Sequence, residues 1–132
     1  MKIAYFNRKF SAAHRIQEAG PCGRIHGHNW EVHIKVAVQQ LHNGMTINSD
    51  KIKDVVDKKY DHMLILHRHD PLRDVLNPLW IVCTPEDPTT ENLAQLIAED
   101  VADEVIAPQG HGYVEVTVHE TATISAEGRT EW

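Results

Sequence analysis

Several features are missing from this sequence, and each absence narrows its class. Only two cysteines occur, Cys22 and Cys83, in 132 residues. Two thiols cannot staple a disulfide-built secreted fold, which argues for a reducing compartment. No apolar run approaches the ~20 residues of a membrane helix. The opening Met1-Lys2-Ile3-Ala4-Tyr5-Phe6-Asn7-Arg8 has no apolar signal-peptide core. These points predict a cytoplasmic protein that does not engage a membrane. Positive charge is not in excess either: the formal net charge is -6. That argues against a nucleic-acid-binding surface, which needs clustered Lys and Arg. A local basic pocket for one phosphorylated metabolite is still allowed, with Arg8, Lys9, Arg24 and Lys35 as candidates. No linker, low-complexity tract or internal repeat divides the chain, so one domain over residues 1–132 is expected.

Histidine is abundant, with ten residues, and the pattern around a few of them is informative. Residues 29–39 alternate. Trp30, Val32, Ile34, Val36 and Val38 share one side; Glu31, His33 and Lys35 share the other. This is the signature of a half-buried antiparallel strand. Residues 2–14 alternate more loosely, 113–120 repeat the pattern, and 122–130 give a weaker last strand. Helical spacing marks 50–60, through Ile52, Val55, Val56 and Tyr60. It also marks 90–106, through Leu93, Leu96, Ile97, Val101 and Val105. Ser49 or Asp50 can cap the first helix, and Thr89 or Thr90 the second. His42-Asn43-Gly44 is a turn signal. The order is strand, strand, helix, helix, strand, strand. It predicts an α+β layer: a four-stranded antiparallel sheet with both helices on one face. The two open sheet edges call for pairing, hence a homo-oligomer.

His26 and His28 lie two apart around Gly27, so both rings leave the same side of an extended chain. Gly27 is expected to let the backbone adjust its angle. Their parity matches Trp30 and Val32, and His14 shares parity with Phe10 and Ala12 on the first strand. Three converging imidazoles with an open fourth position form a catalytic zinc arrangement, so Zn2+ is the expected cofactor. The alternative is a set of satisfied core histidines, outweighed here by the shared parity of all three. Cys22, in Gly20-Pro21-Cys22-Gly23, suits an exposed acid–base thiol near zinc. A fourth zinc ligand or an inert loop cysteine is the alternative. Cys83, within an apolar run, reads as structural. Asp61 can orient His62 as a second acid–base group. His67 and His69 read as a solvated loop. Glu120 ends a strand on the parity of buried valines. It should be paired or bound to a ligand, and its two oxygens suit the adjacent N–H donors of a planar heterocycle.

Five segments carry a resemblance when taken together. They are Phe10-Ser11-Ala12-Ala13-His14; Cys22-x-x-x-His26-Gly27-His28-Asn29-Trp30; Asp61-His62; Pro88-Thr89-Thr90-Glu91-Asn92; and Val118-His119-Glu120-Thr121. In this order the sequence resembles the 6-pyruvoyl-tetrahydropterin synthase superfamily over nearly its whole length. The resemblance implies the tunnelling fold, an oligomeric barrel of trimers stacked into a hexamer, with active sites between subunits. It implies zinc on His14, His26 and His28, proton transfer by Cys22, an Asp61/His62 pair, and Glu120 anchoring a pterin ring, with Thr90 and Glu91 near that ring. Three residues between Cys22 and His26 resemble the bacterial 6-carboxy-5,6,7,8-tetrahydropterin synthases of the queuosine pathway; the 6-pyruvoyl enzymes usually have five. The implied substrate is 7,8-dihydroneopterin triphosphate. A 6-pyruvoyl synthase activity or a non-catalytic zinc-binding oligomer of the same fold are the alternatives. Two positions depart from the family pattern: Asn48-Ser49 replace a common Asp-Phe, and Leu66 stands near a common Asn.

Overall fold

The computed structural model describes residues 1–17, 19–106 and 110–132. Two long strands form its centre, β1 (Lys2–His14) and β2 (His26–Val38), paired antiparallel along their full lengths. Strand β5 (Tyr113–His119) pairs antiparallel with β2, and β6 (Ser125–Glu131) with β5. These are the four expected strands. The second starts earlier than its apolar alternation suggests and takes in His26 and His28.

The expectation of a four-stranded antiparallel sheet is corrected by two short additions. Strands β3 (Leu64–His67) and β4 (Ile81–Thr84) extend the sheet beyond β1, giving the order β4-β3-β1-β2-β5-β6. Both additions pair parallel, β3 through Ala13↔Leu64 and His14↔Ile65, and β4 through Leu64↔Ile81 to His67↔Thr84. The sheet is therefore six-stranded and mixed. Neither Leu64-Ile65-Leu66-His67 nor Ile81-Val82-Cys83-Thr84 alternates, so periodicity carries no strand signal there.

The first expected helix is present in two pieces, α1 (Ser49–Val55) and α2 (Asp57–Tyr60), broken at Val56 (φ -111°, ψ -72°). Its cap is Asn48, whose side chain accepts from the Asp50 N–H, rather than Ser49 or Asp50. The second helix, α3 (Thr90–Asp103), is capped by Thr89, which accepts from the Asn92 N–H. The apolar sides of all three segments join one core with the inward side of the sheet, including Phe10, Trp30, Val32, Val116, Ile52, Tyr60, Leu93 and Ile97. The turn at His42 is formed by Asn43 and Gly44, both at positive φ, closing a His42↔Met45 bridge. Among the described residues no helix is long and apolar enough to cross a membrane.

Candidate metal centre and adjoining acid–base groups

The pairing of β1 with β2 decides where the histidines meet. His14 stands directly opposite His26, and Ala12 opposite His28. The rings of His14 and His26 lie 4.5 Å apart by centroid, His14 and His28 5.2 Å, and His26 and His28 5.0 Å. The parity argument thus holds for all three. A fourth donor joins them: one donor atom from each of His14, His26, His28 and Glu120 lies within 4.8 Å of the others. Glu120 was expected beside the heterocycle, and its carboxylate faces the imidazoles. Oε1 is 3.2 Å from His14 Nε2 and 3.3 Å from His28 Nε2.

Hydrogen bonds fix which ring nitrogen points inward. His14 Nδ1 is 2.8 Å from the Pro88 carbonyl, and His26 Nδ1 is 2.7 Å from the Arg24 carbonyl. A carbonyl can only accept, so each Nδ1 donates and each Nε2 is left as a lone pair, the usual outer support of a metal-binding histidine. His14 is fully buried. Burial pushes its pKa below the ordinary histidine value, with the Pro88 bond opposing, and this favours the neutral ligand form. His14 Nε2 and His28 Nε2 are buried with no hydrogen-bond partner. The His14 Nε2 lone pair faces a Glu120 oxygen at 3.2 Å, which is repulsive unless a cation lies between them. This donor set fits a metal ion, and three imidazoles with a carboxylate suit a borderline divalent one. Trp30 forms the floor. Its ring meets His14 and His28 edge-on, and its Nε1–H donates to the Ala12 carbonyl at 3.1 Å.

Gly27 is not at positive φ. A Cβ there would meet only the Ala12 carbonyl, at an ordinary 3.7 Å. Gly27 lines a cavity of about 430 Å³ with Ser11, Ala13, His28, Asn29 and His62. Of the imidazole cluster only His28 lines it, and of the second expected pair only His62.

Asp61 and His62 are in contact: Asp61 Oδ2 is 2.9 Å from His62 Nδ1. Adjacent residues reach each other this way because His62 adopts a left-handed backbone, φ 62°, which costs about 1 kcal/mol outside glycine. Ser11 holds the arrangement from both sides. Its N–H donates to Asp61 Oδ1 at 2.9 Å, and its carbonyl accepts the His62 N–H at 2.6 Å. The Ser11 bond, followed by His62, pulls the Asp61 carboxyl below its usual value.

Cys22 lies in a 3-10 turn, Gly20–Gly23, and is exposed as expected. Among the described residues no hydrogen bond joins its side chain to the imidazole cluster or to His62. Thr90 is buried and Glu91 exposed at the start of α3. This segment reaches the imidazoles through Pro88, two residues before Thr90. Cys83 corrects the sequence reading: it is exposed, on the edge strand β4. His69 lies in the exposed loop expected of it, but His67 ends strand β3 and is half-buried, accepting the His69 N–H at Nδ1. Of the basic candidates, Arg8 is paired with Asp57 and Lys9 with Glu31, while Lys35 lies over the Tyr113 ring. What the sequence reading missed were the supports from Pro88 and Ser11, and Glu120 as a fourth donor beside the imidazoles.

Fold and donor set together define an α+β protein with a metal-competent histidine cluster and a separate Asp61–His62 contact. The comparisons with known proteins agree with that class and make it specific. The chain belongs to the 6-pyruvoyl tetrahydropterin synthase family, whose model matches residues 4–131. A Halobacterium salinarum protein named probable 6-carboxy-5,6,7,8-tetrahydropterin synthase is 30% identical over 123 residues, covering 89% of this chain and 80% of the relative. The Bacillus subtilis 6-carboxy-5,6,7,8-tetrahydropterin synthase is 37% identical over 94 residues, 69% of this chain and 59% of that protein. The crystal structure of Plasmodium vivax 6-pyruvoyl tetrahydropterin synthase superposes over 100% of both chains with a TM-score of 0.71 at 21% identity, a likeness of fold.

Proposed function

We propose that this protein is a zinc-dependent lyase that converts 7,8-dihydroneopterin triphosphate and water to 6-carboxy-5,6,7,8-tetrahydropterin, acetaldehyde and triphosphate, a reaction of queuosine (7-deazaguanine) biosynthesis. The observation that carries the reading is the His14–His26–His28–Glu120 cluster. It occurs in a chain whose relatives include proteins named for the 6-carboxy product. His14, His26 and His28 would hold zinc through their inward Nε2 atoms. When bound, zinc supplies Lewis acidity toward the hydroxyls of the substrate side chain.

The chain's own groups then divide the proton work. Cys22, exposed on its turn, removes one proton from the side chain as thiolate. His62 handles the other, with Asp61 holding its Nδ1–H and stabilising the charged ring. Ser11 keeps Asp61 and His62 in register by backbone bonds to both. Glu120 accepts N–H donors of the pterin ring, and Thr90 and Glu91 lie along the ring's approach. The reading carries with it a cytoplasmic homohexamer built as a dimer of trimers. The unpaired edge of β6 and most of the outer edge of β1 are the features that favour assembly.

The test is incubation of zinc-loaded protein with 7,8-dihydroneopterin triphosphate, with pterins and acetaldehyde separated by chromatography. Release of 6-carboxytetrahydropterin with acetaldehyde supports the proposal. A 6-pyruvoyl product without acetaldehyde assigns the chain to the other branch of the family. Untouched substrate with zinc fully bound supports the non-catalytic reading.

A further inference from the structure

We propose that His33 and His119 form a second metal site, for a first-row divalent cation such as Cu2+, on the sheet face opposite the His14 cluster. Strand alternation sets this up. Val32 and Val118 point into the core, so His33 and His119 point away from it. In the β2–β5 register, Glu31 stands opposite His119 and His33 opposite Thr117. The two histidines are therefore diagonal neighbours on one face, close enough for imidazoles to share a partner.

Their ring centroids are 4.8 Å apart at 50°. That separation falls inside the 4.5–5.2 Å range of the three imidazoles in the first cluster. Glu31 lies beside the pair, with Oε2 at 3.6 Å from His33 Nε2, and adds negative charge that favours a cation there. Its other oxygen is 3.4 Å from Lys9 Nζ, and the Lys9 bond, ahead of His33, holds the Glu31 carboxyl below its usual value. Glu31 is thus anionic at neutral pH. The His33 and Glu31 side chains are about half exposed, at 47% and 46%, so an ion from solution reaches them without unfolding. Two imidazoles favour copper among divalent first-row ions, followed by nickel and zinc. The site is independent of the proposed reaction, since it lies across the sheet from the His14 cluster.

Zinc-loaded protein is titrated with Cu2+. Zinc and copper are counted after gel filtration, and the copper is read by low-temperature electron paramagnetic resonance. The wild type is expected to take up one copper per chain without losing zinc, with the nitrogen hyperfine pattern of imidazole ligation. His33→Ala and His119→Ala should each lower that uptake at least tenfold at equal free copper while melting as the wild type does. Equal uptake and an unchanged spectrum in wild type and both variants would overturn the site, as would copper entering only as zinc leaves. A protein holding no zinc before titration would count against the first cluster. The wild-type-to-variant difference in copper would still decide the second.

Discussion

His14 Nδ1 lies 2.8 Å from the carbonyl of Pro88, which ties the end of β1 to the segment that opens α3. The bond ranges across 74 residues and sets the tautomer of the most buried imidazole in the cluster. The metal site and the fold therefore share a support, and a ligand bound there should stabilise both.

Zinc removal tests that link. At metal a hundredfold above its Kd, binding the native state alone adds about 2.7 kcal/mol. Chelator should therefore lower Tm by on the order of 10 °C in a domain of this size. His14→Ala should abolish the difference between zinc-loaded and chelated samples, because Nε2 is gone. Calorimetry with and without chelator checks both.

The Asp61–His62 contact should matter to rate rather than to metal. Asp61→Asn removes the charge facing His62 Nδ1 while leaving an oxygen for the Ser11 N–H. Turnover should fall about 100-fold, in the range of a lost acid–base partner, at unchanged zinc content. Steady-state kinetics beside a metal assay separates the two effects.

Asp70 gives the fold an acid-sensitive point. It is fully buried, receives the Arg15 guanidinium on both oxygens, and accepts from the Leu72 N–H. The Arg15 bond is the main cause that draws its carboxyl below the usual value. A carboxyl with a depressed folded-state pKa contributes stability in full above its unfolded value, near pH 4. That contribution is lost as pH falls through the lower folded-state value. Asp70→Asn should cost about 3 kcal/mol at pH 7 by leaving Arg15 without its partner, and should flatten the decline of stability on the acid side. Urea titrations from pH 7 to pH 3 measure both.

Gly128 sets the approach of α3 to β6. A Cβ at this position would fall 2.4 Å from the Gln95 N and 2.5 Å from the Ala94 carbonyl carbon, both helix backbone atoms. Backbone cannot swing aside as a side chain can. Gly128→Ala should therefore destabilise by about 2 kcal/mol, read as a lower urea midpoint at unchanged slope.

Much of this was legible in the sequence for a definite reason. Alternation over 13 residues gave β1 and placed His14 with Phe10 and Ala12 on the buried side. The two-residue spacing of His26 and His28 put them on the matching side of β2. Thr89 announced α3. What was not legible depended on pairing or on local backbone. Strands β3 and β4 are four residues each without alternation, and only the docking of β3 on Ala13 and His14, and of β4 on β3, makes them strands. Cys83 read as structural because its neighbours are apolar, and it sits exposed on an edge strand. Whether Asp61 touches His62 turned on a left-handed histidine that no residue pattern signals. Glu120, one residue beyond β5, was placed on the inward parity, but its approach to His14 and His28 depends on strand pairing.

The most direct test of the account measures zinc per chain and turnover side by side in wild type, His26→Ala and Cys22→Ala. The account predicts about one zinc and full turnover in the wild type. It predicts loss of both in His26→Ala, and retained zinc with turnover lowered at least 100-fold in Cys22→Ala. A His26→Ala protein that still binds zinc and turns over, or a Cys22→Ala protein as active as the wild type, would contradict it.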